Sequence, residues 1–193
     1  EHEPKKKAQY LGAIGDIYRK HLDSSGEAVD FYNRALDQDP SLLKLFRAID
    51  EVLTREKNWD ELQRSYRSML TRVQDDDSQI QLQYKLCYNL GEIYRTRMRD
   101  TTNAKAAFEA ALDIKPSDVK SLKVLAELYA RDKDLPEAIQ TERRLLQLEP
   151  GNVEHYRALK EMFFEQGDED AAWVACSVLT LLKQADSSEQ GFY

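Results

Sequence analysis

The sequence predicts an all-α protein in which tandem helical hairpins stack as a right-handed solenoid, and three observations carry that prediction. The 193 residues include only seven glycines and five prolines, so the chain has few helix breakers. Apolar residues recur at three- and four-residue steps, as in Leu122-Leu125-Tyr129, which is the periodicity of an amphipathic helix. A pattern with a period of about 34 residues repeats along the chain, as in stacked helical hairpins.

The repeat is clearest between two parts of the chain that lie 76 residues apart. The positions they share are Ile14/Leu90, Gly15/Gly91, Ile17/Ile93, Tyr18/Tyr94, Ala28/Ala104, Tyr32/Phe108, Ala35/Ala111, Leu36/Leu112 and Pro40/Pro116. Further along, Ala104, Ala138 and Ala172 follow one another at intervals of 34 residues. These spacings predict five units, which we place at residues 8–41, 42–77, 78–117, 118–151 and 152–185. A tail of residues 186–193 follows, and we expect residues 1–193 to form a single domain.

Each unit is predicted to contain two helices separated by a short polar break. The breaks lie at residues 23–26, 57–58, 99–102, 132–134 and 167–168. Each break supplies a Ser, Asn, Asp or Thr that can cap the second helix. Between units, Pro40, Pro116 and Pro150 end one helix before the next begins.

These residues and offsets resemble the tetratricopeptide repeat over residues 8 to 184. The best matches are Leu11/Ile14/Gly15/Tyr18/Ala28/Tyr32/Ala35/Pro40 and Cys87/Leu90/Gly91/Tyr94/Ala104/Phe108/Ala111/Pro116, each with one extra residue before the first alanine of the second helix. The fourth unit has Glu142 where an aromatic residue is usual, and the second and fifth units match more weakly. The small residues at these offsets let paired helices approach closely, and the aromatic residues fill the space beside that contact.

One interval departs from the repeat. Tyr66 and Tyr94 lie 28 residues apart, whereas Phe108 and Tyr129 lie 21 apart. The seven additional residues surround Asp75-Asp76-Asp77. We expect longer helices on either side of this acidic turn, with a disordered loop as the alternative.

The resemblance implies that the first helix of each unit lines a groove that usually holds a peptide or protein. The residues assigned to the groove are Lys44, Arg47, Lys85, Tyr88, Asn89, Lys120, Lys123 and Arg157. An acidic residue accompanies them in every unit, at Asp16, Glu51, Glu92, Glu127 and Glu161. Two interpretations remain: these charges pair with one another across neighbouring helices, or the basic residues receive an acidic peptide.

The carboxylate clamp by which some tetratricopeptide repeats bind chaperone tails is disfavoured here. Gly12 and Asp16 stand in the first unit where that clamp needs Lys and Asn. In a frame that begins at the second unit, Arg47 and Glu51 also depart from it. The resemblance therefore predicts a protein or peptide partner but not this particular ligand.

The last helix offers a second predicted interaction surface, at Trp173, Val178, Leu181 and Leu182. Residues 171–182 are apolar almost all round, although the last helix of a solenoid usually has a polar outer face. Three explanations are open: a further repeat follows, the tail folds back with Phe192 and Tyr193 as anchors, or the helix pairs with another chain. The third makes a homo-oligomer the alternative function.

Other functional classes have less support. The net charge of −7 opposes nucleic-acid binding, so an RNA-binding helical repeat ranks below a protein scaffold, as does a sensor of a small ligand or signalling peptide. His2, His21 and His155 have no metal-ligand spacing, and no phosphate-binding loop or nucleophile motif is present. We therefore predict no enzyme activity, cofactor or metal.

The remaining features concern compartment and thiols. No segment resembles a signal peptide or a transmembrane span, so we expect no membrane insertion and favour the cytoplasm. The chain does not begin with Met, and we expect it to be a segment of something longer. Cys87 and Cys176 fall on apolar helix faces and are predicted to be buried thiols.

Overall fold

The computed structural model describes residues 2–185, and within them it contains ten α-helices and no strand. The helices are α1 (His2–His21), α2 (Ser25–Gln38), α3 (Leu43–Glu56), α4 (Trp59–Val73), α5 (Ile80–Ile93), α6 (Thr101–Ile114), α7 (Val119–Arg131), α8 (Leu135–Leu148), α9 (Val153–Gln166) and α10 (Glu169–Leu181). A 3-10 turn, Asp77–Gln79, precedes α5, and a π-helical turn, Tyr94–Met98, follows it. The predicted all-α helical-repeat fold is confirmed.

The turn inside each hairpin has the same construction five times. A residue in the left-handed conformation ends the first helix, and the next residue donates its N–H to a carbonyl near the end of that helix. The left-handed residues are Asp23, Lys57, Arg99, Lys133 and Gly167, so only one of the five is glycine. The following residue also begins the second helix, and Asn58, Asp100 and Asp168 accept a backbone N–H there as predicted caps.

The extra residue in the first and third hairpins lies inside this turn. The Asn58 N–H donates to the carbonyl of Leu53, five residues back. The Ser24 and Asp100 N–H groups donate to the carbonyls of Tyr18 and Tyr94, six residues back. In the third hairpin the longer span forms the π-helical turn, because a π-turn accommodates one residue more than an α-turn.

Close approach of the two helices is most evident in the first hairpin. A Cβ on Gly15 would lie 2.7 Å from the ring of Tyr32 and 3.2 Å from the carbonyl oxygen of Ala28. Tyr32 is fully buried, and its hydroxyl donates to Asp16 at 2.7 Å. The predicted role of small residues at the helix contact is therefore observed at this hairpin.

Consecutive hairpins pack through one stripe on each first helix. The stripe lies eight, four and one residues before the position of Tyr18 in each unit, and we call it the first-helix stripe. It comprises Leu45/Ile49/Val52 on α3, Leu86/Leu90/Ile93 on α5, Ser121/Leu125/Leu128 on α7 and His155/Leu159/Met162 on α9, all buried. The second helix of the preceding hairpin covers it where α2 packs on α3, α4 on α5 and α8 on α9.

The seven additional residues lengthen one helix by a turn. α5 begins 14 residues before Tyr94, whereas α3 begins ten residues before the equivalent Leu53. α4 gains only one residue, because it has 15 residues against 14 in α2. The rest lies in the connection, where Asp76 accepts the N–H and the hydroxyl of Ser78. The prediction of longer flanking helices is thus right for α5, whereas α4 is only one residue longer than α2.

The chain divides into two compact units, unit 1 (Glu1–Ala107) and unit 2 (Phe108–Tyr193). Unit 1 holds α1 to α5 and the first half of α6, while unit 2 holds the second half of α6 and α7 to α10. Cys87 in unit 1 and Cys176 in unit 2 are buried, as predicted. That all hairpins form one continuous domain stays a prediction.

The contact at Gly15 yields a stability prediction. Gly15→Ala should lower the free energy of unfolding by about 1–3 kcal/mol, because the added methyl group overlaps the Tyr32 ring. The matched control is Gly26→Ala in α2, where a Cβ meets nothing within 4 Å. That control should be neutral or stabilising by up to about 1 kcal/mol. Urea denaturation followed by circular dichroism measures both, and equal effects at the two sites would contradict the account of the helix contact.

Candidate functional site

A cleft of about 470 Å³ lies between α3 and α5 in unit 1, and we call it the α3–α5 cleft. One part of its wall is apolar and another part is polar. The apolar side chains are Leu43, Phe46, Leu82 and Leu86, and the polar ones are Arg47, Asp50, Tyr66, Ser78, Gln79, Gln81, Lys85 and Asn89. Three of the predicted groove residues, Arg47, Lys85 and Asn89, therefore lie around one cleft.

Helical periodicity and the lengthened α5 together build this cleft. Leu43, Phe46, Arg47 and Asp50 follow one another at steps of three, one and three residues, so they share one face of α3. Leu82 lies in the additional turn of α5, and Ser78 and Gln79 belong to the 3-10 turn before it. The interval that departs from the repeat thus supplies one end of the cleft wall.

Arg47 and Lys85 bring positive charge to the cleft, and neither has a partner among residues 2–185. Both side chains are exposed, and no described residue forms a hydrogen bond or an ion pair with either of them. Asp50 accepts a hydrogen bond from the Tyr66 hydroxyl at 3.0 Å, so its carboxylate is held beside the buried phenol. An incoming anion would therefore meet two cations, with the nearest acid already engaged.

Tyr66 is buried between the two helices that form the cleft. Its ring packs edge-on against Phe46, with centroids 5.0 Å apart. Burial raises the pKa of the Tyr66 phenol, the Asp50 carboxylate raises it further, and Asn89 opposes that shift. Tyr66 therefore remains a neutral hydrogen-bond donor at physiological pH, and it fixes Asp50 beside the cleft.

A smaller cleft of about 290 Å³ continues from the first, since Asp50, Tyr66 and Asn89 line both. It leads toward Trp59 and Arg97, where the guanidinium lies 5.2 Å from the Trp59 ring centroid. The two clefts together follow the first helices of the second and third hairpins. Such a path can accept an extended segment longer than one side chain.

The other predicted groove residues have different surroundings. Lys44 lines a separate cleft of about 280 Å³ in unit 1, together with Asp16 and Arg19. Tyr88 is half-buried next to Tyr84, with ring centroids 6.3 Å apart. In unit 2, Lys120 is exposed, Lys123 forms an ion pair with Glu149 at 2.9 Å, and Arg157 contacts Glu154 and the carbonyl of Gln184.

Several predicted groove acids also interact within the protein. Asp16 accepts from Tyr32, Glu92 pairs with Arg95 at 2.8 Å, and Glu51 lies 3.7 Å from Arg19. Glu127 and Glu161 are exposed. The interpretation that charges pair across neighbouring helices describes Glu51 with Arg19 and Lys123 with Glu149. Glu92 and Arg157 instead pair with residues three positions away along the chain. The interpretation of pairing across helices does not describe Arg47 and Lys85.

Sequence reasoning missed a buried charged cluster in unit 2. His155 is buried between two carboxylates, with its Nδ1 2.7 Å from Glu142 and its Nε2 3.2 Å from Glu149. Burial raises the pKa of Glu142, and His155 opposes that shift. Hydrogen bonds from Asn152, Lys123 and His155 lower the pKa of Glu149 to about 2. The sequence signal was Glu142 at the aromatic position combined with His155 at the position of Leu45 and Leu86.

The members of this cluster bond to one another. No group of three or more His, Cys, Asp or Glu side chains in the described residues could hold a metal ion. The place of the cluster in the first-helix stripe of α9, against α8, makes it a contact between hairpins. This buried hydrogen-bonded pair stands where α3 and α5 have the apolar residues Leu45 and Leu86.

The last helix has the apolar exposure that its sequence predicts. Trp173, Val174, Leu181 and Leu182 are exposed, and Val178 is half-buried. The proposed anchors Phe192 and Tyr193 lie outside the described residues, so the fold-back explanation stays a prediction. No helix in residues 2–185 is long and apolar enough to cross a membrane.

Comparison with known proteins agrees with this architecture. Models of the tetratricopeptide repeat match residues 8–42 and 93–153. No curated protein matches the chain in sequence.

Solved structures share the fold. The crystal structure of MamA is 16% identical with a TM-score of 0.56 and covers 93% of each chain. YrrB, described as a tetratricopeptide-repeat protein with an unusual peptide-binding site, is 14% identical with a TM-score of 0.54 over 93% of this chain and 87% of its own. A repeat protein from Cytophaga hutchinsonii is 18% identical with a TM-score of 0.56 over 96% and 73%. At these identities the likeness concerns the fold.

The Glu142–His155 pair yields a prediction about stability. His155→Leu should cost about 3–5 kcal/mol at neutral pH, because it leaves a buried carboxylate without its partner. The double variant Glu142→Phe/His155→Leu should return to within about 1 kcal/mol of wild type, since it restores an apolar contact.

Chemical denaturation at two pH values tests this prediction. The raised pKa of Glu142 means that the single variant should lose stability as pH rises through that pKa, and the penalty should shrink in mild acid. A single variant as stable as wild type at neutral pH would contradict the assignment.

Proposed function

Because the chain is a tetratricopeptide-repeat protein, we propose that it is a non-catalytic scaffold whose α3–α5 cleft holds an extended segment of a partner protein. A role as a protein-interaction scaffold is supported by the family and by a structural neighbour described as having a peptide-binding site. One observation carries the assignment of the partner segment to the α3–α5 cleft. Arg47 and Lys85 line the same cleft, and neither has a partner among the described residues.

The cleft chemistry suits an acidic side chain next to an apolar one. A carboxylate between Arg47 and Lys85 would gain charge-assisted hydrogen bonds of about 1.5–3 kcal/mol each. A neighbouring apolar side chain would pack against Leu43, Phe46 and Leu82 and add area removed from water. Arginine also permits bidentate contact with a carboxylate. The segment therefore has at least one Asp or Glu beside a large apolar residue.

Other groove residues extend the proposed path. Lys44 and Tyr88 lie on the same first helices, α3 and α5, as the cleft residues. Lys120, Lys123 and Arg157 lie in unit 2, and we propose them as partner-contacting residues of that unit by itself. Lys123 and Arg157 would first have to leave Glu149 and Glu154, so we expect them to contribute less than Arg47 and Lys85.

Selection of linear peptides tests the proposal without a known partner. A phage-displayed peptide library is selected on the wild-type chain, and an enriched peptide is synthesised and titrated by fluorescence anisotropy. We expect enriched sequences to contain Asp or Glu beside Leu, Ile, Phe or Met. Arg47→Glu/Lys85→Glu should weaken binding at least about tenfold, or about 1.4 kcal/mol. Added salt should weaken wild-type binding.

The matched control is Lys5→Glu/Lys57→Glu, which makes the same change in net charge at two exposed lysines outside the cleft. It should leave the dissociation constant within about twofold, because neither lysine lines the α3–α5 cleft or its continuation and exposed charges outside a site are screened by salt. Equal weakening by both double variants would show that net charge alone attracts the peptide. Enrichment of peptides without acidic residues would remove the acidic-segment proposal.

A second candidate function is self-association through α10. The observation that favours it is the exposure of Trp173, Leu181 and Leu182 with Val178 beside them, since clustered exposed apolar side chains mark interaction sites. Sedimentation velocity over a range of concentrations tests it. A single monomeric species at every concentration would exclude this candidate and leave the cleft proposal untouched.

A further inference from the structure

The first-helix stripe of α1 is apolar although no described residue covers it. Tyr10, Ile14 and Ile17 occupy the three stripe positions, and their exposed fractions are 72%, 36% and 50%. The same three positions are buried on α3, α5, α7 and α9. On α3, α5 and α9 the second helix of the preceding hairpin packs on the stripe. On α9, for example, His155 contacts Glu142 of α8 at 2.7 Å.

The matching half of such an interface can be located on the second helices. Gln63 of α4 lies one residue after Leu62 and accepts from Tyr94 in the following hairpin at 2.9 Å. Asp37 of α2 lies nine residues after Ala28 and accepts from Arg72 of α4 at 2.8 Å. In each second helix, the residues one and nine positions after the equivalent of Ala28 therefore face the next hairpin.

On α10 these two positions are apolar and exposed. Trp173 lies one residue after Ala172, and Leu181 lies nine residues after it. Their exposed fractions are 45% and 79%. At the position of Leu181 the other second helices have polar residues, Asp37, Thr71, Asp113 and Gln147. α10 therefore has exposed apolar residues at the positions by which a second helix contacts the next hairpin, and we call this its donor face. The exposed stripe of α1 is the matching surface of a first helix, and we call it the acceptor face.

We propose that two copies of this chain associate head to tail, with α10 of one copy packed on α1 and α2 of the next as α2 packs on α3 and α4. The proposal rests on the second candidate function, self-association through α10, and it adds the partner surface. Tyr10, Ile14 and Ile17 form that surface, and none of them belongs to the α3–α5 cleft.

The outer face of α1 also has a depression where Leu181 of the other copy would lie. An open cleft of about 670 Å³ is lined there by Pro4, Lys7, Tyr10, Leu11 and Gln38, among others. Gln38 in α2 is equivalent to Arg72 in α4, and Arg72 donates a hydrogen bond to Asp37 of the preceding second helix. An apolar Leu181 in place of Asp37 suits a cleft that contains Tyr10 and Leu11.

Charge is complementary in the same arrangement. Helices joined by short loops run antiparallel, so the start of α10 would lie beside the end of α1. α10 begins with Glu169 and Asp170, and α1 ends with Arg19, Lys20 and His21. Opposite charges thus flank the apolar contact at that end. Because the two surfaces differ, the contact is heterologous, and each end of a pair keeps one free face to which a further copy can bind.

Two single-face variants test this geometry. The acceptor variant is Ile14→Glu/Ile17→Glu on α1, and the donor variant is Leu181→Glu/Leu182→Glu on α10. All four side chains are exposed, so circular dichroism and thermal unfolding should match wild type. We expect the mass of wild type, measured by sedimentation equilibrium, to rise past that of a dimer with concentration. Each variant alone should remain monomeric, with its dissociation constant raised at least about tenfold.

Mixing the variants separates head-to-tail contact from symmetric contact. An equimolar mixture keeps one intact α10 face and one intact α1 face, so it should form a one-to-one pair and stop at the dimer. Self-association of the donor variant alone would mean that α1 pairs with α1, and self-association of the acceptor variant alone would mean that α10 pairs with α10. Either result overturns the head-to-tail proposal, and only the second preserves self-association through α10.

Two further outcomes are decisive. Monomeric wild type at every soluble concentration overturns the head-to-tail proposal together with the second candidate function. Arg47→Glu/Lys85→Glu should assemble as wild type does, because the cleft lies outside both end faces. Loss of assembly in that variant would contradict the assigned surfaces. Peptide binding is measured separately, so failure of assembly does not bear on the cleft.

Discussion

Burial of the first-helix stripe by the preceding second helix is the contact on which the rest of this structure depends. A single hairpin of about 34 residues cannot enclose both sides of its helices, so each stripe needs a neighbouring second helix. Where α2, α4 and α8 provide it, the stripe residues are buried. In each hairpin a left-handed residue and a helix cap reverse the chain direction within a few residues. This short turn holds the second helix beside the first. Glu142 and His155 depart from the apolar contact as a matched pair, because each is the hydrogen-bond partner of the other.

The candidate site lies on surfaces that this packing leaves open. Helix α3 presents Leu43, Phe46 and Arg47 to the cleft, while its stripe residues are directed to α2. The additional turn of α5 then adds Leu82 and forms the end of the cleft. A departure from the repeat thus adds a local binding feature without disturbing the stripe. Charged residues on different first helices also differ in their contacts: Lys123 of α7 pairs with Glu149, whereas Lys85 of α5 has no described partner.

Most of the fold could be predicted from the sequence because its determinants are local and periodic. Spacing identified the helical breaks, and small residues such as Gly15 marked the helix contact. The sequence did not show that Asp23, Lys57, Arg99 and Lys133 would adopt the left-handed conformation, because cooperative hairpin packing overrides their preference against it. Site prediction was less complete: the resemblance to the tetratricopeptide repeat, applied in the register of the units, predicted Arg47 and Lys85 as groove residues, but whether a lysine is paired depends on contacts between distant residues. His155 was overlooked for the same reason, since its partner Glu142 lies 13 residues away on another helix.

The proposal that unit 1 holds an acidic segment is tested most directly by mapping where such a segment binds. A selected acidic peptide, titrated into the isotope-labelled chain, would be followed by amide chemical shifts in two-dimensional NMR spectra. The account predicts that the largest changes occur in residues 43–50 of α3 and residues 78–89 before and within α5, and that Arg47→Glu/Lys85→Glu abolishes them. Changes centred instead on residues 119–123 and 153–157, or on α1 and α10, would contradict it.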